Sequence, residues 1–185
     1  MLPAIFAALL GCFAAASYST EESAYDLSGK PLNPLKMAPG KAVVLVFVRT
    51  DCPVANRYAP TIQGLVGRYA GKAAFWLVYP SKAESAEAIR RHERAYGYTI
   101  PALRDPHHVL VKESQVQVTP EAAVFDASHR LIYHGRIDDL YIDMTRTRHA
   151  ATTHDLADAI QAALEGKPLT AEAKPGVGCY ISDVE

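Results

Sequence analysis

The sequence predicts an α/β protein, a mixed central sheet with helices on both faces, and three observations carry that expectation. Residues 42–48 (AVVLVFV) and 73–79 (AAFWLVY) are unbroken apolar runs of strand length, as expected of strands buried on both faces. Segments of helical period follow each run. Residues 122–134 then read as a hairpin: Ala122 to Phe125, a turn at Asp126-Ala127-Ser128-His129, and Leu131 to His134. Crossovers followed by a hairpin require parallel and antiparallel pairing in one sheet.

The elements follow in order. After the first strand, residues 54–70 place Val54, Tyr58, Ile62, Leu65, Val66 and Tyr69 at three- and four-residue spacing, a helix with one apolar stripe. Pro60 lies inside it and predicts a kink, because its ring removes a donor and clashes with the preceding turn. Residues 83–96, rich in Ala, Glu and Arg, read as a solvent-facing helix ending before Gly97. Ile100 to Leu103 reads as a short strand and residues 106–114 as a short helix. A polar stretch, 136–152, precedes a last helix over 154–165. Thr152-Thr153-His154-Asp155 reads as ordinary helix capping rather than a His-Asp catalytic pair.

The chain of 185 residues suits one domain with a sizeable core; it is 49% apolar with a net charge of −1. Without a basic stripe, nucleic acid is not an expected partner. Residues 1–16 (MLPAIFAALLGCFAAA) are apolar and end on small residues, as a secretory signal peptide does; an uncleaved anchor is the alternative. Leu9-Leu10-Gly11-Cys12 also resembles a lipobox, so membrane anchoring is expected only if Cys12 is lipidated. The organisation is thus 1–16 signal, 17–39 lead-in, 40–166 folded domain and 167–185 tail, in an exported chain of the periplasm or cell envelope. Removal of the signal leaves Cys52 and Cys179, 127 positions apart, in an oxidising compartment.

Cys52 follows a buried strand and opens a helix, with Pro53 directly after it and Pro60 eight positions on; Val118-Thr119-Pro120 precedes the hairpin. In that order and spacing the sequence resembles the thioredoxin-like superfamily, in its redoxin (AhpC/TSA, peroxiredoxin-like) branch. The resemblance covers about residues 40–166 and implies a three-layer fold, thiol redox chemistry without a bound cofactor, and a cis-proline loop at Pro120 facing Cys52. It also departs from the family's pairs. Ala55 and Asn56 stand where a Cys-x-x-Cys or Cys-x-x-x-Cys would put its second thiol, and Arg49 and Leu45 replace the peroxiredoxin threonine and proline, with Thr50 two before the cysteine.

A helix N-terminus favours a thiolate, and a position between Asp51 and Pro53 at a strand end is unlike a core site, so Cys52 reads as a nucleophile. Arg49 and Arg57 add positive potential there and Asp51 opposes it. Cys179 lies in a Gly- and Pro-containing tail (PGVGCYI) able to fold back; it is either a resolving thiol, a second soft ligand for a metal such as Cu(I), or an incidental thiol. Thr50 and Pro120 complete the expected catalytic set; Thr119, Asn56 and Arg136 are the expected substrate contacts. Of the seven histidines, His107-His108, His134, His149 and His154 share no zinc-like spacing with a cysteine pair, and most of the seven read as solvated or capping. The stretch from Arg136 to Asp143 reads either as a lid beside Cys52 or as a solvated loop.

Three functions remain open at this level. The first is an exported thiol-disulfide oxidoreductase or peroxiredoxin-like antioxidant protein, acting on a protein disulfide or peroxide and re-reduced by a thiol partner protein. The second is a copper or thiol-metal chaperone with Cys52 and Cys179 as ligands. The third is a redox-inert scaffold that binds a peptide in the groove.

Overall fold

The computed structural model describes residues 23–169 and 172–182. The signal segment, Cys12 and a mature start near Ser17 lie outside the described residues. No helix among the described residues is long and apolar enough to cross a membrane.

The chain forms β1 (Ala24–Asp26), β2 (Pro31–Leu32), β3 (Ala42–Phe47), α1 (Pro53–Arg57), α2 (Ala59–Arg68), β4 (Ala73–Tyr79), α3 (Ala86–Tyr96), β5 (Ala102–Arg104), α4 (Val109–Ser114), β6 (Val118–Thr119), β7 (Glu121–Phe125), β8 (Leu131–Gly135), α5 (Asp155–Glu165) and β9 (Cys179–Tyr180). Seven strands make one sheet in the order β2-β1-β5-β4-β3-β7-β8. β3, β4 and β5 run parallel, as crossover connections require, while β7 and β8 pair antiparallel as the hairpin. The mixed sheet expected from the sequence is present. β1 and β2 lie in the stretch read as a lead-in and extend the sheet through β5.

The two faces of β3 sort its side chains with a period of two. Ala42, Val44 and Val46 face Ile62, Ile89, Leu156 and Ile160, so α2, α3 and α5 cover that side. Val43, Leu45 and Phe47 pack with Leu110, Val111 and Leu35 on the other, under α4 and the segment before β3. Every residue of β3 is buried, which explains the unbroken apolar run. Each such side chain contributes about 1.5–3 kcal/mol on burial; a charge at Val46 would break the layer.

The expected kinked helix is instead two helices. α1 closes at Tyr58 and α2 opens with Ala59 and Pro60. Pro60 has no N–H for the carbonyl four residues back, so the chain restarts and uses the proline where a missing donor costs nothing. The helix over residues 83–96 is not wholly solvent-facing: Ile89 and His92 of α3 are buried. Nor do the threonines cap α5. His154 is its N-cap without a side-chain bond, while Thr152 and Thr153 donate to Asp139 and Thr153 also to Asp155. The segment from Arg136 to Thr152 is folded down: Tyr58 Oη donates to Asp138 over 2.5 Å, and the Tyr58 and Tyr141 rings lie 5.6 Å apart.

Candidate functional site

β3 ends against α1, and the turn between them carries Thr50, Asp51 and Cys52. Cys52 is the N-cap of α1, in an extended conformation, with Pro53 at the first helical position. Its N–H reaches back to the Arg49 carbonyl, and its own carbonyl accepts from Asn56 N over 3.0 Å. The thiol has no exposure at all, which corrects the expectation that this position lies outside the core. The cover comes from chain far away in sequence. Cys52 Sγ donates to the Thr119 carbonyl over 3.0 Å, and the Thr119-Pro120 peptide is cis.

The second cover is the tail. β9 pairs antiparallel with β6, setting Cys179 opposite Thr119 and Tyr180 opposite Val118. That pairing brings the Cys179 thiol close enough to Cys52 for the two to influence each other's charge, and both are free. Burial, and then the contact with Cys52, pushes the Cys179 thiol up to about 11. Glu121, buried at the head of β7, stitches the arrangement together: one carboxylate oxygen accepts from Gln117 N and Val118 N, the other from Gly176 N over 2.7 Å. The Arg136 N–H holds the Lys174 carbonyl, and Ile181 N donates to the Gln117 carbonyl.

Behind the Cys52 turn lies a chain of polar groups. Asn56 Nδ2 donates to the Thr50 carbonyl over 3.1 Å, and Asn56 Oδ1 meets His92 Nε2 at 2.7 Å. An amide oxygen can only accept, so Nε2 carries a proton, and in the neutral ring Nδ1 is then the acceptor for Tyr79 Oη at 2.9 Å. Burial lowers the His92 pKa and favours this neutral ring. Thr50 N donates over 2.6 Å to Glu84, a buried carboxyl whose second oxygen has no partner. Burial raises the Glu84 pKa.

The expected site residues thus divide. Cys52, Thr119, Pro120 and Cys179 meet at one point. Thr50 and Asn56 belong to the turn's support. The Arg136 guanidinium is committed to Asp155 at 3.1 Å and to Thr153, while its main chain secures the tail. Arg49 pairs with Asp51 at 2.9 Å, which offsets its charge locally, and reaches the Tyr180 carbonyl. Among the histidines, His108 is buried against the Pro80 carbonyl, at 3.0 Å, rather than solvated. No group of three or more His, Cys, Asp or Glu residues able to hold a metal occurs among the described residues. Sequence reasoning missed Glu84, His92, Tyr79 and Glu121. For His92 a signal exists, since Ile89, His92 and Tyr96 recur at three and four positions along α3.

A thiol at the joint of a central strand and a helix, faced by a cis-proline loop, defines a thioredoxin-like protein of thiol redox chemistry. The AhpC/TSA family matches residues 19–134, and the chain belongs to that family. No curated protein matches it. Among solved structures, a hypothetical protein from Sinorhizobium meliloti superposes with a TM-score of 0.73 at 27% identity, over 85% of this chain and 87% of that one. A secreted Mycobacterium tuberculosis disulfide oxidoreductase homologous to E. coli DsbE has a TM-score of 0.55 at 20% identity, over 76% and 94%. The pneumococcal exposed lipoprotein thioredoxin from Streptococcus pneumoniae has 0.54 at 21%, over 77% and 96%. At these identities the last two share the fold. Cys179 lies beyond the family match.

Proposed function

We propose that this protein is an exported thiol-disulfide oxidoreductase in which Cys52 is the nucleophile and Cys179 its resolving thiol. The observation that carries the reading is that Thr119 pairs with Cys179 while its carbonyl accepts from Cys52 Sγ, so two segments far apart in sequence bring both thiols to one residue. The thiolate of Cys52 attacks one sulfur of a substrate disulfide, and the other sulfur leaves as a thiolate that takes a proton from water. The thiolate of Cys179 then attacks Cys52 Sγ, closes the internal disulfide and releases the substrate's remaining cysteine as a thiol. Two electrons pass from the dithiol to the substrate, and a thiol partner protein must return them. A peroxide is the smaller alternative substrate: Cys52 becomes a sulfenic acid, water or an alcohol leaves, and Cys179 condenses with it and releases water. Disulfides are favoured because Arg49 and Leu45 replace the peroxiredoxin residues and because a strand already lies across the thiol.

The test is titration with dithiodipyridine, a small reactive disulfide. Wild type releases two equivalents of pyridinethione, loses about 2 Da, and yields a Cys52–Cys179 peptide. Cys179→Ser releases one equivalent and keeps the pyridyl group on Cys52. A wild-type protein that keeps pyridyl groups on both cysteines would refute the pairing. Adding one equivalent of hydrogen peroxide to Cys179→Ser, with a sulfenic-acid probe, tests the alternative.

A further inference from the structure

The tail from Lys174 to Ile181 is held almost wholly by its main chain. The Lys174 carbonyl, the Gly176 N–H, the Cys179 carbonyl and the Ile181 N–H bond to Arg136 N, Glu121 Oε1, Thr119 Oγ1 and the Gln117 carbonyl. No tail side chain contributes a bond to this set. The side chains supply two other things, the Cys179 sulfur at Cys52 and Ile181, which is buried in the cluster on the α4 side of the sheet. Tyr180 is 77% exposed and makes no demand on its identity.

The two glycines explain what remains. Neither Gly176 nor Gly178 has a positive φ, so turn geometry does not require glycine at either position. Space does. A Cβ at Gly178 would overlap the Thr119 carbonyl oxygen, and one at Gly176 would lie 2.7 Å from the Pro120 carbonyl oxygen and from Glu121 Cγ. The groove therefore reads a strand by the absence of side chains one and three positions before its cysteine.

We propose that the groove along Gln117 to Glu121 is a strand-binding site selective for partner segments of the form Gly-x-Gly-Cys-x-aliphatic, with the tail as its tethered occupant. The inference rests on the oxidoreductase reading and names the substrate class, an extended protein segment whose cysteine is in a disulfide. A partner strand adds to β6 with the same main-chain bonds, backed by the buried Glu121 carboxylate. Since both strands need Glu121 Oε1 and the Gln117 carbonyl, they exclude each other. The partner enters as the tail lifts, and its cysteine exchanges with Cys52, while the partner's second sulfur leaves as a thiolate. As the tail returns, Cys179 attacks Cys52 Sγ and the partner's cysteine leaves. A tethered strand acts at an effective concentration of order millimolar, so a free strand competes poorly while the tail fits.

Gly178→Ala in the full chain pushes the tail off without touching either cysteine and supplies an open groove. A fluorescent peptide of residues 174–182 carrying Cys179→Ser binds this variant, read by anisotropy, about tenfold or more tighter than the same peptide carrying Gly178→Ala as well. A tenfold difference corresponds to the loss of one or two main-chain hydrogen bonds. The parent peptide also binds wild type at least tenfold more weakly than it binds the variant. Equal affinity of the two peptides, or no saturable binding of either, overturns the proposal. A covalent arm separates this from the reading beneath it. With the same pair of peptides made instead with Cys179 retained and activated as its pyridyl disulfide, Cys179→Ser protein reacts tenfold faster with the Gly178 form, and urea-unfolded protein reacts equally with both. Selective binding together with an inert Cys52 would leave the groove standing and sink the oxidoreductase; equally fast reaction in the folded protein would do the reverse.

Discussion

At the scale of single residues, the surroundings of Cys179 set the pace of the internal step. Cys179 sits against the Thr119 strand, and its burial disfavours the thiolate, raising the pKa to about 11. Its attack on a disulfide at Cys52 is therefore limited by the scarce thiolate fraction at neutral pH. We expect the second release of pyridinethione, the internal resolution step, to rise with pH above neutrality and to level off only above the ordinary thiol value of ~8.5, because the burial of Cys179 persists when Cys52 is in a disulfide. Stopped-flow absorbance follows it, and a profile flat above pH 8 would mean that the attacking thiol is not Cys179 in its partly buried place. The sign on stability is opposite. The folded state holds the proton more tightly, so stability from this group is complete below the unfolded value of ~8.5 and is lost as pH climbs to about 11.

At the scale of elements, the Cys52 turn is held from behind by α3 through a helix-to-strand relay. Tyr79 of β4 fixes the His92 ring, His92 orients Asn56, and Asn56 holds the Thr50 carbonyl. Tyr79→Phe leaves His92 Nδ1 a buried acceptor without a donor, which costs about 1–2 kcal/mol. Urea denaturation at pH 7.5 measures it; a loss under ~0.3 kcal/mol would show that the ring finds another donor. Because burial lowers the His92 pKa, this relay contributes stability above the unfolded value of ~6.5 and loses it as pH falls through the lower folded value. Much of this level was legible in the sequence and part was not. The buried strands, the hairpin and the joint at Cys52 were readable because each is a local pattern of period and punctuation. Pro120 was readable only through its place before the hairpin. The burial of Cys52, and the contacts of His92 and Glu84 with its turn, depend on residues 34 or more positions away, and no window of sequence carries that. The glycines at 176 and 178 were visible as bending points, but their reason is the close approach to Thr119 and Pro120, which only the pairing reveals.

At the scale of the whole molecule, a bond between Cys52 and Cys179 would enclose all five of the described helices and four of the seven strands of the main sheet, β4, β5, β7 and β8. A loop this long is where a cross-link removes most freedom from the unfolded chain, on the order of 4–5 kcal/mol in the chain-entropy account. The full amount appears only if the native tail is already docked, since a loose tail would lose its own freedom when tied down. The structure has the tail docked with both thiols free: β9 is paired, Gly176 and Ile181 are bonded, and Ile181 is buried. We therefore expect oxidised wild type to melt about 10 °C or more above the reduced protein, given ~2–4 °C per kcal/mol for a chain of this size. Scanning calorimetry of the two forms, with Cys179→Ser under both conditions as the control, reads the shift directly. The control should not respond to reductant. A gain below ~3 °C in wild type would mean that the reduced tail is free most of the time, and that docking follows the bond rather than preceding it.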